Sequence, residues 1–197
     1  MPKRQSYDSP LARTSLEATF ADLRRRPRPR SPGADARQRE FAHRHLPPPR
    51  GTESAYMSEL AARSDVLVFD GPIVDAQLEL LGDVSATLTT SATSPHHDLF
   101  VCLCDVGPGG KAINITDGYR RLSLASGGPG RRTTTVEALP VAWRLDVGHR
   151  LRLLVAAGAF PRFARNLGLG EPLAIATESR KVDITVHCGA GASFISL

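Results

Sequence analysis

A chain of 197 residues has room for one ordinary domain with a real core and little more. Its formal charge of +5 suggests a polyanion partner until the distribution is read: residues 1–50 carry 12 Lys and Arg against 5 Asp and Glu, leaving 13 against 15 for residues 51–197. The portion able to fold is therefore close to neutral and excludes a nucleic-acid footprint. No stretch reaches the roughly 18 to 20 consecutive apolar residues of a membrane span, and three cysteines behind an opening without a secretory apolar run predict a reduced, cytoplasmic setting.

Residues 1–52 read as a basic arm and linker, mostly disordered, because a segment dense in Arg and Pro cannot bury enough apolar surface to offset its ordering entropy. One short amphipathic helix is expected over residues 10–26, with Leu11, Leu16, Phe20 and Leu23 near one face. The cluster RRRPRPR at residues 24–30 carries the charge of a nucleic-acid or membrane binder. It reads instead as a solvated arm, since no aromatic residues interleave to stack on bases.

Residues 53–197 read as a single β domain made of short period-two runs separated by turn residues. VLVF and VDAQLELL come first. VSATLTT follows, with Val84, Ala86 and Leu88 on one face and Ser85, Thr87 and Thr89 on the other. DLFVCLCDV is apolar on both faces, since Leu99, Val101 and Leu103 alternate with Phe100, Cys102 and Cys104; this predicts a central strand covered on both sides. KAINIT, TTTVEA, RLRLLVAA, LAIAT, KVDITVH and SFISL complete about ten candidate strands. GPGG at 107–110, SGGPG at 126–130 and DVG at 146–148 supply the punctuation. With no long amphipathic helix after residue 65, the expected architecture is an all-β jelly-roll sandwich of two packed sheets.

Catalytic signatures are missing. There is no GxSxG, the motif that lifts a serine nucleophile above a parallel sheet, and GPGGK is not a phosphate-binding loop. Cys102 and Cys104 at i, i+2 read as small core residues rather than metal ligands, and Cys188 beside His187 lacks metal-site spacing. His96 and His97 are expected in an exposed turn. No catalytic, cofactor or metal residue is assigned.

Four stretches, in order, carry a resemblance: VLVFDGPIVDAQLELLGDVSATLTTSA, DLFVCLCDVGPGGKAINITDGYRR, VGHRLRLLVAAGAFPRFARNLGLGE and VHCGAGASFISL. Together they resemble the C-terminal domain of X-Pro dipeptidyl-peptidase and cocaine-esterase-like (CocE/NonD) hydrolases. The resemblance implies a non-catalytic jelly-roll β-sandwich, galactose-binding-domain-like, that braces an α/β-hydrolase domain whose Ser, Asp and His triad lies upstream. The partner is then that catalytic domain, in cis or in trans; self-association of the isolated chain is expected, with no nucleic acid or membrane partner. A short or truncated hydrolase gene product, inactive alone, is the functional reading, and HLPPPRGTESAYMSEL resembles the linker into the jelly roll. A stand-alone carbohydrate- or protein-binding module is the alternative, weakened by the presence of a single tryptophan, Trp143. The chain departs from the family at its end, where Cys188 and Ala192 stand near the places of an aspartate and a Pro-Ser pair.

Within the matching stretches, Asp105, Gly107, Gly109 and Gly110 are read as a hairpin connection needing positive φ. Asn114, Thr116, Asp117 and Gly118 are read as a polar turn from which Arg120 and Arg121 leave. His149 is read as a satisfied turn histidine leading Arg150 into the next strand. In FPRFARN, Phe160 and Phe163 are expected to pin the loop to the sheet edge. Arg162, Arg165 and Asn166 are then left to hold backbone carbonyls or a partner's carboxylate, so that the loop is a buttress, a catalytic-domain contact, or both.

Overall fold

The computed structural model describes residues 18–19, 24–25, 55–123, 130–188 and 192–197. The elements are β1 (Ala18–Thr19), β2 (Arg24–Arg25), helix α1 (Ala55–Ala62), β3 (Val66–Asp70), β4 (Leu78–Gly82), β5 (Ser85–Ala92), β6 (His96–Val106), β7 (Ala112–Ser123), β8 (Arg132–Glu137), β9 (Val141–Leu145), β10 (Arg150–Ala156), β11 (Ile184–Val186) and β12 (Phe194–Ser196). One antiparallel sheet runs β2-β3-β10-β6-β7. The other is centred on β5, with β8 along one side, β11 and β12 in succession along the other, and β1 outside β12. A ribbon of β4 and β9 completes an all-β sandwich.

Alternation fixes which side chains meet. Ala86 and Leu88 of β5, Val136 of β8 and Ile195 of β12 face Leu99, Val101, Leu103, Leu153, Val155 and Phe69 across the interior, with Leu80 and Val141 closing the ribbon side. The opposite face of the β5 sheet is polar: Thr87 meets Thr135 at 3.2 Å and Thr89 meets Thr133 at 3.0 Å, two cross-strand hydroxyl pairs.

The β6 sheet is apolar on both faces, as the pattern of β6 predicts. Phe100, Cys102, Cys104 and Val106 of β6, with Val66, Val68 and Leu154, form a second core outside the sandwich, capped by Met57 and Leu60 of α1. The helix forms because AYMSELAA is rich in good helix formers, and Met57 and Leu60, three apart, share one face. At eight residues it is too short to advertise itself by periodicity, which is why the stretch resembles a linker in sequence. Cys102 and Cys104 are fully buried with sulfurs 3.7 Å apart; this contact and burial raise the Cys102 thiol's pKa and keep it protonated.

Several expectations are corrected. LAIAT is an exposed turn, not a strand: the Ile175 and Ala176 amides both donate to the Pro172 carbonyl, and Ile175 lies in solvent. KVDITVH keeps only three strand residues. VAWRL, overlooked as a strand, is β9; its buried Val141 and Leu145 show the period-two signal that was there to be read. The polar turn at 114–118 does not exist, because β7 runs unbroken to Ser123 with a bulge opposite Leu103 and Cys104. Asp105 lies within β6 rather than in the hairpin, where Gly110 alone has positive φ. His97 is buried in β6, not exposed in a turn. Burial depresses its pKa, and the neutral ring donates from Nδ1 to the Ser94 carbonyl at 3.0 Å. Of residues 10–26, expected as a helix, Ala18–Thr19 and Arg24–Arg25 are short strands; the rest, the expected disorder of the remaining arm and the turn at 126–129 lie outside the described residues.

Gly118 explains itself by contact. A Cβ there would sit 2.3 Å from the Glu137 carbonyl oxygen, where β7 bridges to Ala138. Gly118→Ala should therefore force backbone apart and cost about 1–3 kcal/mol, read as a lower urea midpoint by Trp143 fluorescence. Gly109→Ala, which meets nothing within 4 Å, should leave the midpoint unchanged.

Candidate functional site

The outer face of the β6 sheet is only half covered by α1; the loop following β10 covers the rest. Two carboxylates that alternation turns outward from β6 and β7, Asp98 and Asp117, hold that loop. Asp98 is buried and accepts four hydrogen bonds: Arg121 Nε and Nη2, both at 2.9 Å, Tyr119 Oη at 2.6 Å, and Asn166 Nδ2 at 2.9 Å. Burial by itself would raise the Asp98 pKa, but the hydrogen bonds from Arg121, Tyr119 and Asn166, with the guanidinium charge, hold it below the ordinary value. Burial and the bond to this carboxylate push the Tyr119 phenol well up. Asp117 binds Arg162 and, more loosely, Asn114 Nδ2 at 3.4 Å.

These anchors account for Arg162 and Asn166 of FPRFARN. Phe163 lies flat on Tyr119, ring centroids 3.9 Å apart at 4°, so it pins the loop to the sheet's face and not to its edge. Phe160 is exposed with the Arg165 guanidinium 4.7 Å above its ring. Arg121 also donates to the Ala164 carbonyl. Sequence reasoning misses Asp98 and Tyr119 and places Arg121 only at the exit of a turn; the outward phase of β6 and β7 is the signal that could find them. Between α1 and the loop lies a cavity of about 250 Å³, lined by Leu60, Val66, Phe100, Ala156, Phe163 and Asn166 among others.

The remaining candidates lie elsewhere. Asp105 faces the interior and is buried, accepting from His149 Nδ1 at 2.7 Å and Trp143 Nε1 at 3.1 Å. His149 is thus a satisfied turn histidine, and Gly107 of the β6–β7 hairpin lies beside its ring, where even a Cβ would make only an ordinary contact at 3.4 Å from Cε1. Arg150 is 3.6 Å from Asp70, whose carboxylate is gripped by buried Arg152 at 2.5 and 3.0 Å. Arg120 is exposed on β7.

Ser–His–acid geometry is not assembled among the described residues. Ser91 Oγ and His187 Nε2 are 3.0 Å apart, as are Ser123 Oγ and His96 Nδ1, but neither imidazole meets a carboxylate. His149 has its carboxylate and no serine. Nucleophile, base and orienting acid must be in contact to work as a unit, and here they are spread over three places.

Two acid steps in stability follow from these shifts. The depressed pKa of His97 means that its stabilisation is full above about pH 6.5 and declines as pH falls below that value. The depressed pKa of Asp98 means that its contribution is full above about pH 4 and is lost as pH falls through its lower folded value. Asp98→Asn should shrink the second step and, by removing the charge from a buried acceptor of four hydrogen bonds while Arg121 keeps access to water, cost about 1.5–3 kcal/mol at pH 7. Urea midpoints measured from pH 3 to 8 check both.

Residues 3–194 match the model of the X-Pro dipeptidyl-peptidase C-terminal non-catalytic domain. Cocaine esterase from Rhodococcus sp. (strain MB1 Bresler) is 29% identical over 121 residues, a region that is 57% of this chain and 21% of the esterase. A solved α-amino acid ester hydrolase superposes on 91% of this chain and 30% of its own with TM-score 0.62 at 20% identity. A solved aminopeptidase from a marine sediment Thaumarchaeota archaeon covers 73% of this chain and 27% of its own with TM-score 0.65 at 22% identity. The chain spans about a fifth of the curated relative's length, and the two structures show a shared fold. Ordered stretches, a doubly covered sandwich and a family match across nearly the whole sequence converge: the chain belongs to the X-Pro dipeptidyl-peptidase C-terminal non-catalytic domain family.

Proposed function

We propose that this chain is a bracing module for an α/β-hydrolase domain and supplies no catalytic group to the reaction. The docking face is the outer side of the β6 sheet, formed by α1 and the loop at 157–166. One observation carries this reading: two buried carboxylates fix the loop from beneath while Phe160 and Arg165 remain on its outer surface. A loop so anchored loses little entropy on binding, which favours a permanent contact over a transient one. An exposed aromatic beside a planar guanidinium is the pair that interfaces favour.

The hydrolase domain is carried in the same polypeptide or supplied by a second one. Where it is absent, exposed Ile73, Leu81, Val147 and Ile175 favour self-association. The buried thiols of Cys102 and Cys104, which are not joined as a disulfide, favour a reducing, cytoplasmic setting, and no helix among the described residues is long and apolar enough to cross a membrane. Sugar recognition is not favoured, because Trp143 is committed to Asp105 and packs against the inner core.

The purified chain should hydrolyse neither p-nitrophenyl acetate nor an X-Pro anilide above the buffer rate; turnover above buffer would refute the non-catalytic role. Grafted onto Rhodococcus cocaine esterase in place of the region it matches, the chain should raise the melting temperature above that of the esterase lacking the region. The double change F160A/R165A should remove at least half of that gain while lowering the isolated chain's stability by little more than the loss of their mutual contact, about 0.5–1 kcal/mol. A graft that confers no gain would place the docking face elsewhere.

A further inference from the structure

On the outer side of the β6 sheet, α1 and the loop after β10 leave a cavity of about 250 Å³ between them. Buried Leu60, Val66 and Phe100 lie deepest in it, half-buried Ala159 and Phe163 stand along its sides, and exposed Ala164 marks its rim. The room originates in the sequence. AAGA at residues 156–159 supplies only methyl groups and a hydrogen where β10 gives way to the loop, and a Cβ at Gly158 would meet no atom within 4 Å. Collapse is prevented from both directions: β10 is held in register between β3 and β6, and the loop is tied by Asn166 to Asp98 and by Arg162 to Asp117. The cavity is thus formed in advance of any occupant.

Its lining decides what it takes. Asp98 is among the lining residues, but its four hydrogen bonds are already made to Arg121, Tyr119 and Asn166. Asn166 is engaged at both ends, since Nδ2 donates to Asp98 and Oδ1 accepts from the Gly168 amide at 3.0 Å. A ligand recognised through hydrogen bonds finds these groups occupied, whereas an apolar one finds two phenylalanines, Leu60 and Val66. Apolar cavities of roughly 150 Å³ hold benzene, so this one has room for a phenyl ring.

We propose that the cavity is a socket for one aromatic side chain of the docked hydrolase domain. The socket lies within the docking face, so the domain that docks there also seals it; its occupant comes from that domain and not from free solution. Arg63, bound to Asp65 at 2.6 and 2.8 Å, and Arg165, 4.7 Å above the Phe160 ring, supply the polar rim that surrounds an apolar anchor in protein interfaces. The source of the side chain rests on the bracing reading; the cavity and its apolar preference do not.

Toluene, the phenylalanine side chain capped with a hydrogen, is the probe. Titrated into the full chain, it should shift the amide resonances of Leu60, Ala159 and Phe163 saturably and leave those of Thr87 and Thr135, on the far sheet, in place. Ala156→Leu and Ala159→Leu each put a larger side chain into the cavity, and each should weaken toluene binding about tenfold or more while keeping the parent's Trp143 emission. In the esterase graft, the same two changes should remove at least half of the gain in melting temperature with Phe160 and Arg165 intact. Absence of a saturable shift, or toluene binding undiminished in a folded leucine variant, overturns the socket; a graft that still gains stability then leaves the bracing role standing without it. Toluene binding together with a graft that gains nothing, or with leucine variants that keep the whole gain, overturns the side-chain occupant and makes the cavity a small-molecule site.

Discussion

A strand that is apolar on both faces obliges the chain to build a second roof. β6 sends Leu99, Val101 and Leu103 into the sandwich and Phe100, Cys102 and Cys104 out of it, so one opposing sheet cannot hide it. Each buried side chain of this size contributes about 1.5–3 kcal/mol only if water is kept away. The chain meets that demand with α1 at one end and the loop after β10 at the other. The rest of the molecule's polarity follows: a threonine-rich face over β5 that tolerates water, and a roofed face over β6 that does not.

The roof is polar where it is held and apolar where it packs. Asp98 is tolerable under the loop because four donors converge on it, including a two-pronged guanidinium that lysine could not imitate. The same completeness makes the carboxylate useless for chemistry: an acid with no lone pair to spare and a depressed pKa neither abstracts nor delivers a proton near neutrality. Asp105 is similarly occupied by His149 and Trp143. Asp98, Asp105, Asp117 and His149 thus serve as bolts, each turned to a neighbouring element.

How much of this the sequence discloses depends on the range of the interaction involved. The period of two in β5 and the double apolarity of β6 are local, and both were legible with the correct phase. LAIAT has the same local texture as a strand yet lies in solvent, because Pro172 closes a turn there and no strand edge takes the segment up. Gly118 was legible as a special position but not for the right reason: it serves a close approach by Glu137 at the end of the next strand, outside any short window. FPRFARN was legible as a buttressed loop. Its anchors were not, because Asp98 and Asp117 are brought beneath it by the register of β6 against β7 and the bulge between them, which no short window contains.

The rungs formed by Thr87 with Thr135 and Thr89 with Thr133 have a practical corollary. They mark the broad side of the molecule that neither greasy layer depends on. A fluorophore, an affinity handle or a surface for immobilisation belongs there, since it would leave both interiors, the loop and its carboxylate fastenings undisturbed and present the opposite flank to whatever is captured.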